Sequence, residues 1–415
     1  MTTAAVKRRT TLITNAFGVS SVGEGIRTAV FPMLAVSVTH DPVAISGLAV
    51  AGRLPWLVIA LFSGAIADRY DRRLLMLMAD AFRAVVLISL ASFFLTGTDY
   101  LWLLFLSALA LGTGDTLFDT ATQGLLPQIT DAENLGRLNG QIQTINMVGG
   151  TFVGPLFGGW LFALGRIVPL FFNAATFIIS ALFITAHRRQ QDIASDDKEA
   201  TPKSSLLNEV TEGLRWVRNH VLVRSLIFTV FVVNLTQSAA TSMLVLLATE
   251  TADLPVSAYG VLLSVSGVGA FIGGIVSTKF GDRMDLARVI LPAILSMCPI
   301  MLAMGIVGNG YVIAAALGLD SLIGVIAAVQ VSVLRQRMVP NTLLSRVSSV
   351  SQMMTFGLAI PLGALGAGFL AQWLDVRAVY IAAGLTVALF CALFGGQLAP
   401  TKIRAALKAV EAEAQ

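Results

Sequence analysis

Twelve apolar stretches, each long enough to cross a bilayer, recur along this chain with only short polar breaks between them. A helix needs about 20 apolar residues to span the hydrocarbon core, and a spanning backbone must satisfy its hydrogen bonds within itself. Such a pattern leaves no room for a large soluble domain. Composition agrees: of 415 residues 56% are hydrophobic and 13% charged, and the mean hydropathy is +0.79, whereas an average soluble domain carries about 25% charged residues. With Gly, Pro and charge clusters as punctuation, spans are predicted near 11–38, 43–67, 74–96, 100–126, 139–164, 168–186, 222–248, 256–278, 287–307, 310–334, 347–373 and 377–399. The first follows Lys7-Arg8-Arg9 and contains Glu24 and Arg27. It is longer than the apolar region of about 7–15 residues in a signal peptide, so it reads as a retained span.

Charge placement orients the bundle. Of the 28 Lys and Arg residues, 23 fall on one set of alternating loops or the span ends beside them, 2 (Arg166 and Arg377) on the other, and Arg27, Arg53 and Arg83 deep within spans. The positive-inside rule then places both termini in the cytoplasm. The longest polar stretch, His187 to His220, separates six spans from six. Its second part, Ser204 to Val223, spaces Leu206, Leu207, Val210, Leu214, Val217 and Val221 as an amphipathic helix lying at the inner surface. The predicted organisation is a six-helix half over 1–186, a cytoplasmic linker over 187–221, a second half over 222–399 and a tail over 400–415. The halves echo each other, as duplicated transporters do: Gly64–Arg73 aligns with Gly274–Arg283, and Pro127, Arg137 and Pro155 recur in order as Pro340, Arg346 and Pro361.

Several chemistries find no support. Cys298 and Cys391 sit in apolar stretches as packed thiols. His40, His187 and His220 are scattered over loops and helix ends rather than clustered for metal binding. No Walker A pattern occurs. Neither an enzyme, a cofactor, a metal site nor a nucleic-acid partner is expected; the net charge of +4 records cytoplasmic loops.

Two motifs carry a resemblance. Gly64-Ala-Ile-Ala-Asp68-Arg69-Tyr70-Asp71-Arg72-Arg73 resembles the signature loop between helices 2 and 3 of the major facilitator superfamily, with Asp71 where Gly is usual. Gly150-Thr-Phe-Val-Gly154-Pro155-Leu-Phe-Gly158-Gly159 resembles the span-5 motif of that superfamily's drug:proton antiporters. Small residues four apart permit close helix packing and Pro155 can kink the helix. Span 4 lacks the arginine common in proton-coupled members, and Gly112-Thr-Gly-Asp115-Thr-Leu-Phe-Asp119-Thr-Ala-Thr-Gln123 is similar instead to the branch that includes macrolide-efflux and enterobactin-export proteins. The resemblance implies an all-α membrane protein with 12 transmembrane helices in two pseudo-symmetric halves, residing in the bacterial inner membrane. It also implies a latch of Gly64, Asp68, Arg69, Arg72, Arg73 and Asp119 that holds the outward-open state.

A charge at the centre of a span costs at least about 2.5–3.5 kcal/mol, so it pairs or faces water. Eight lie away from the ends of the predicted spans: Glu24, Arg27, Arg53, Asp80, Arg83, Asp115, Asp119 and Asp320. Five carboxylates meet three guanidinium groups, so two acids lack a cation even with perfect pairing. Asp80 and Asp119 lie nearer the cytoplasmic end and read as structural, Asp80 one turn from Arg83. Glu24, mid-span between Gly23 and Gly25, is the leading candidate for a protonation switch; the competing reading pairs it permanently with Arg27 or Arg53. Asp115 and Asp320 follow, since spans 4 and 10 line the cavity in the resembled family. Asn234, Gln237, Ser238, Thr241 and Ser242 on span 7 offer hydrogen bonds either to cargo or to other helices, and Phe31, Phe118, Phe228 and Phe231 are candidates for an apolar wall. The expected function is proton-coupled efflux of small amphiphilic compounds by a monomer. Export of an endogenous metabolite such as a siderophore or lysolipid, or a membrane scaffold or sensor that transports nothing, are the alternatives.

Overall fold

The computed structural model describes residues 3–69, 71–97, 100–130, 132–186, 215–281 and 284–413. All regular structure among them is helical. The first four helices are α1 (Thr3–Val38), α2 (Pro42–Arg69), α3 (Arg72–Leu95) and α4 (Leu101–Ile129). Helix α5 runs as Ala132–Ile145, a wide π-type segment Asn146–Val153, and Gly154–Leu164, and α6 is Val168–Ala186. Helix α7 comprises Val221–Leu246 and a π-type end, Leu247–Thr251. After it come α8 (Ala258–Phe280), α9 (Leu286–Val307) and α10 (Gly310–Met338). Helix α11 runs as Asn341–Gln352, a π-type segment Met353–Ala359, and Ile360–Trp373; α12 is Val376–Phe394 and α13 is Pro400–Glu413. Ten of the described helical stretches are long and apolar enough to cross a membrane, and α1 and α2 are the other two long helices.

Helix α3 shows why these sequences fold this way. Met76, Ala79, Asp80, Arg83, Leu87, Leu90 and Phe94 form its buried stripe, while Leu74, Met78, Phe82 and Val85 lie exposed on the opposite face. A helix apolar on both sides is at home in lipid. Asp71 caps its start, its Oδ1 accepting from the Arg73 and Leu74 backbone N–H groups at 2.9 and 3.4 Å. Asp in place of the usual Gly thus serves as an N-cap.

The spans predicted near 139–164 and 347–373 start earlier in the structure, at Ala132 and Asn341. Their first turns are polar and amphipathic, so hydropathy marks only the lipid-facing remainder. In both α5 and α11 the π-type segment ends just before a proline. Gly154 N–H reaches back five residues to Gly149 O ahead of Pro155, and Ile360 N–H reaches Thr355 O ahead of Pro361. Proline brings no N–H to the ladder and disturbs the preceding turn, which gives the repeated proline a repeated backbone consequence.

The chain divides into two compact units. Unit 1 holds the described residues up to Ala186 together with Leu254–Gly267 of the α7–α8 connection and α8; unit 2 holds the rest. The boundary therefore differs from a simple division of six helices from six, because the first half of α8 packs with unit 1. Its core includes Ile13, Phe17, Met76, Phe118, Leu125 and Ile184. In unit 2, Leu226, Ile290, Met297, Leu334, Phe390 and Ile403 form the main core, and Ile403 anchors α13. Asp285 caps α9 through Ala287 N–H at 3.1 Å and also receives Arg404 of α13. That hydrogen bond from Arg404 holds the Asp285 carboxyl below the usual carboxylate range. The predicted linker helix falls mostly outside the described residues; 215–219 is helical.

Candidate functional site

Unit 1 brings seven of the eight span charges together, and Arg83 of α3 is the hub. Its side chain is fully buried. Nη1 donates to Asp115 Oδ1 of α4 at 3.0 Å and to Glu24 Oε1 of α1 at 3.2 Å. Nη2 donates to Ser20 Oγ at 3.1 Å and pairs with Asp80 one turn back on α3. The guanidinium lies 4.2 Å from the Phe177 ring centroid and 4.6 Å from that of Phe118, a geometry that lets two aromatic faces share the cation. Gly114 makes the site possible, since a Cβ there would come within 2.6 Å of Arg83 Cγ.

Arg27 reaches the other oxygen of Asp115, so Asp115 bridges two guanidinium groups. Glu24 therefore pairs with neither Arg27 nor Arg53, as the local reading had it, but with an arginine 59 positions away. It keeps about a fifth of its side chain exposed, 21% against none for Asp80. Asp119 lies within the field of the same cluster, among Asp115, Arg83, Arg53 and Arg27. Arg53 is exposed on α2, with Arg27, Asp115, Glu24 and Asp119 as its charged neighbours. Asp80 and Arg83, read from sequence as a local structural pair, thus belong to the centre of the site. Their i, i+3 spacing within a span was the available signal.

The glycine motif of α5 builds the neighbouring wall. A Cβ on Gly154 would sit 2.6 Å from Gly25 Cα, and one on Gly25 would sit 2.5 Å from Gly150 O. The motif therefore holds α1 at backbone distance one residue from Glu24. Gly158 packs on Ile26 O, and Gly159 packs on Ser257 and Gly260 at the start of α8. Ser264 of α8 donates to Phe152 O at 3.0 Å, supplying a donor to the wide turn ahead of Pro155.

On the basic side of unit 1, Arg72 Nη1 donates to Gly124 O at 2.5 Å, and Arg73 donates to Ile184 O and Thr185 O, each at 2.8 Å. Both arginines thereby bind helix carbonyls, and Arg73 sits where the α6 dipole favours a cation. Gly64, Asp68 and Arg69 belong to α2, and their side chains lie outside the described residues.

Unit 2 is sparser. Gln237 of α7 donates to Asp320 Oδ2 of α10, and among the described residues the buried Oδ1 of Asp320 has no hydrogen-bond partner. Ser238 donates to Ile360 O at 2.7 Å, whereas Asn234 and Ser242 bond within α7, to Val230 O and Ala239 O. Phe31 is buried on α1 and Phe118 stacks on Phe17 at 6.3 Å in unit 1; Phe228 and Phe231 stack at 6.0 Å in unit 2.

Comparison with known proteins now gives the class. The transmembrane secretion effector family (MFS_3) matches residues 8–413, and the chain belongs to it. It is a multi-pass membrane transporter of the major facilitator type, related to efflux pumps and not to enzymes. It is 26% identical to the uncharacterized MFS-type transporter YfiS of Bacillus subtilis over 88% of this chain and 87% of that one. It is 27% identical to the putative bacilysin exporter BacE of the same organism, over 88% of each. With the multidrug efflux pump Tap of Mycobacterium tuberculosis the identity is 30% over half of each chain. Among solved structures, the nucleoside transporter NupG superposes with a TM-score of 0.76 at 12% identity, covering 94% of this chain and 99% of NupG. A bacterial homolog of the lysosomal transporter Spinster gives 0.71 at 16%, covering 98% and 99%. These likenesses establish the fold.

Proposed function

We propose that the protein exports small amphiphilic compounds in exchange for protons by alternating access, with twelve spans and both termini in the cytoplasm. The observation that carries this reading is the charge balance around Arg83. Four carboxylates (Glu24, Asp80, Asp115 and Asp119) share one cluster with three guanidinium groups (Arg27, Arg53 and Arg83), so one acid lacks a cation. Glu24 is the acid that takes and releases the proton, because its link to Arg83 is the longest of that guanidinium's hydrogen bonds, at 3.2 Å, and its side chain is partly exposed. Arg83 Nη1 serves Glu24 and Asp115 together. A proton on Glu24 frees that donor for Asp115, which couples α1 to α4 through one nitrogen. Asp320 with Gln237 and Asn234 offers a second polar site on α7 and α10. Asp68, Arg69, Arg72 and Arg73, with Gly64, form the latch on the basic side.

Transport of a fluorescent amphiphilic dye into proteoliposomes under an imposed pH gradient tests the assignment. Glu24→Gln is expected to abolish the gradient dependence while moving the melting temperature only slightly. Intact gradient-driven transport in each of Glu24→Gln, Asp115→Asn and Asp320→Asn would overturn proton coupling through these groups.

A second reading keeps the fold and changes the cargo to a metabolite made by the host cell. The likeness to a putative bacilysin exporter over 88% of the chain, against half for the multidrug pump, favours it. A deletion strain that accumulates its own product without change in drug susceptibility would decide for this cargo.

A further inference from the structure

We propose that unit 2 holds a binding site for one anionic phospholipid at the basic end of its helices. A cavity of about 470 Å³ opens there, walled by Ile227 and Phe228 of α7, Met354 of α11 and Phe394 at the end of α12, with Arg218 and Arg224 on its lining. That volume lies within the range of about 300–1,000 Å³ typical of small-molecule pockets. Its walls ask for an apolar occupant. Phe228 and Phe394 meet edge to face with centroids 5.3 Å apart. The polar groups behind them are already satisfied, Ser225 Oγ donating to Val221 O at 2.9 Å and lying 3.2 Å from Gln397 Oε1.

The charged end asks for an anion. Arg218 and Arg224 are both exposed and line the same cavity, and Arg224 Nη1 donates to the backbone carbonyl of Arg218 at 3.1 Å, which holds the Arg224 side chain against the segment that carries Arg218. Neither forms an ion pair with a carboxylate among the described residues. They straddle Val221, the first residue of the α7 span, and Trp216 stacks on His220 at 3.7 Å in the same segment. Tryptophan and arginine at a span end mark headgroup depth, and a basic pocket between spans at that depth suits a lipid phosphate. The phosphate sits between Arg218 and Arg224, and one acyl chain enters along Phe228 and Met354. An apolar cavity with two cations at one end fits this amphiphile better than free phosphate, which leaves the walls empty.

Native mass spectrometry of the full chain, delipidated and titrated with phosphatidylglycerol or phosphatidylcholine, tests the site. The wild type is expected to retain one phosphatidylglycerol with a preference of roughly tenfold over phosphatidylcholine, the scale expected of two arginines near an anionic headgroup. The double variant Arg218→Gln/Arg224→Gln is expected to lose the preference. Met354→Trp fills the cavity with both charges intact and is expected to lower retention of the lipid, which keeps the test decisive if the double variant fails to fold. A photo-crosslinker at Val350 in native membranes is expected to yield a lipid adduct. Equal retention of the two lipids by the wild type, an unchanged preference in the folded double variant, or a crosslink to residues 187–214 of this chain or to another protein would each overturn the proposal.

Discussion

The two units solve the problem of polar groups in a membrane in opposite ways. Unit 1 collects its span charges into one cluster around a fully buried arginine, with Glu24, Asp80 and Asp115 each held by a guanidinium on another turn or another helix. In unit 2 the buried mid-span carboxylate, Asp320, is met by an amide from Gln237. A cluster commits several helices to one geometry, since moving α1, α3 or α4 breaks a charged contact. A single carboxylate–amide pair commits only α7 to α10. Among the described residues, the charged contacts that tie spans to one another therefore lie in unit 1.

Removing the hub is the strongest way to break that contrast. Arg83→Leu leaves Asp80, Asp115 and Glu24 without their shared cation, and loss of one partner from a buried pair costs about 3–5 kcal/mol. Thermal denaturation in detergent is expected to show a large fall for this variant. Asp320→Asn, which removes one hydrogen-bonded charge, is expected to change stability by only about 0.5–1.5 kcal/mol. Equal losses in the two would mean that unit 2 depends on its carboxylate as much as unit 1 does on its cluster.

The glycines sharpen the comparison at a smaller scale. Gly154→Ala forces a methyl against Gly25 Cα, and overpacking of this kind costs about 1–3 kcal/mol. Gly366 on α11 has open space around its would-be Cβ, so Gly366→Ala is expected to be neutral or to stabilise by about 0.5–1 kcal/mol through helix propensity. The same denaturation series checks both. The smallest effect lies at α13. Because Asp285 titrates below its ordinary value, its contribution to docking α13 is fully present above about pH 4 and is lost as pH falls through the lowered value. Hydrogen exchange of α13 is expected to stay slow from neutral pH to about pH 4, then to rise at more acidic pH. Asp285→Asn is expected to remove that acid step.

Most helices were readable from hydropathy, because lipid imposes a one-dimensional rule on length and composition. The polar starts of α5 and α11 were not, since Ala132–Ile145 and Asn341–Gln352 are helices that carry no membrane signature. That charges in spans must be near something that neutralises them was readable too, but not that Asp80 and Arg83 stand at the centre of the cluster. Its pairing was not readable either. Glu24 has Arg27 one turn away, yet Arg27 reaches Asp115 on α4 and Glu24 takes Arg83 on α3, a choice fixed by how α1, α3 and α4 pack rather than by spacing along any of them. Gly114, unremarkable in the sequence of α4, is intelligible only beside Arg83.

The wide turns ahead of Pro155 and Pro361 have a further consequence for which changes this chain can tolerate. Each residue added to or taken from an α-helix turns everything beyond it by about 100°. Wide turns of this kind hold a residue that a regular helix would not accommodate. Deleting one residue between 146 and 153 would let α5 close into a smoother helix, but it would swing Gly154, Gly158 and Gly159 off the α1 and α8 backbones and aim bulky neighbours there instead. In this segment the phase of the helix is a constraint in its own right, beside the small size demanded at Gly149 and Gly150, so a single deletion is expected to cost more than a substitution at its exposed positions.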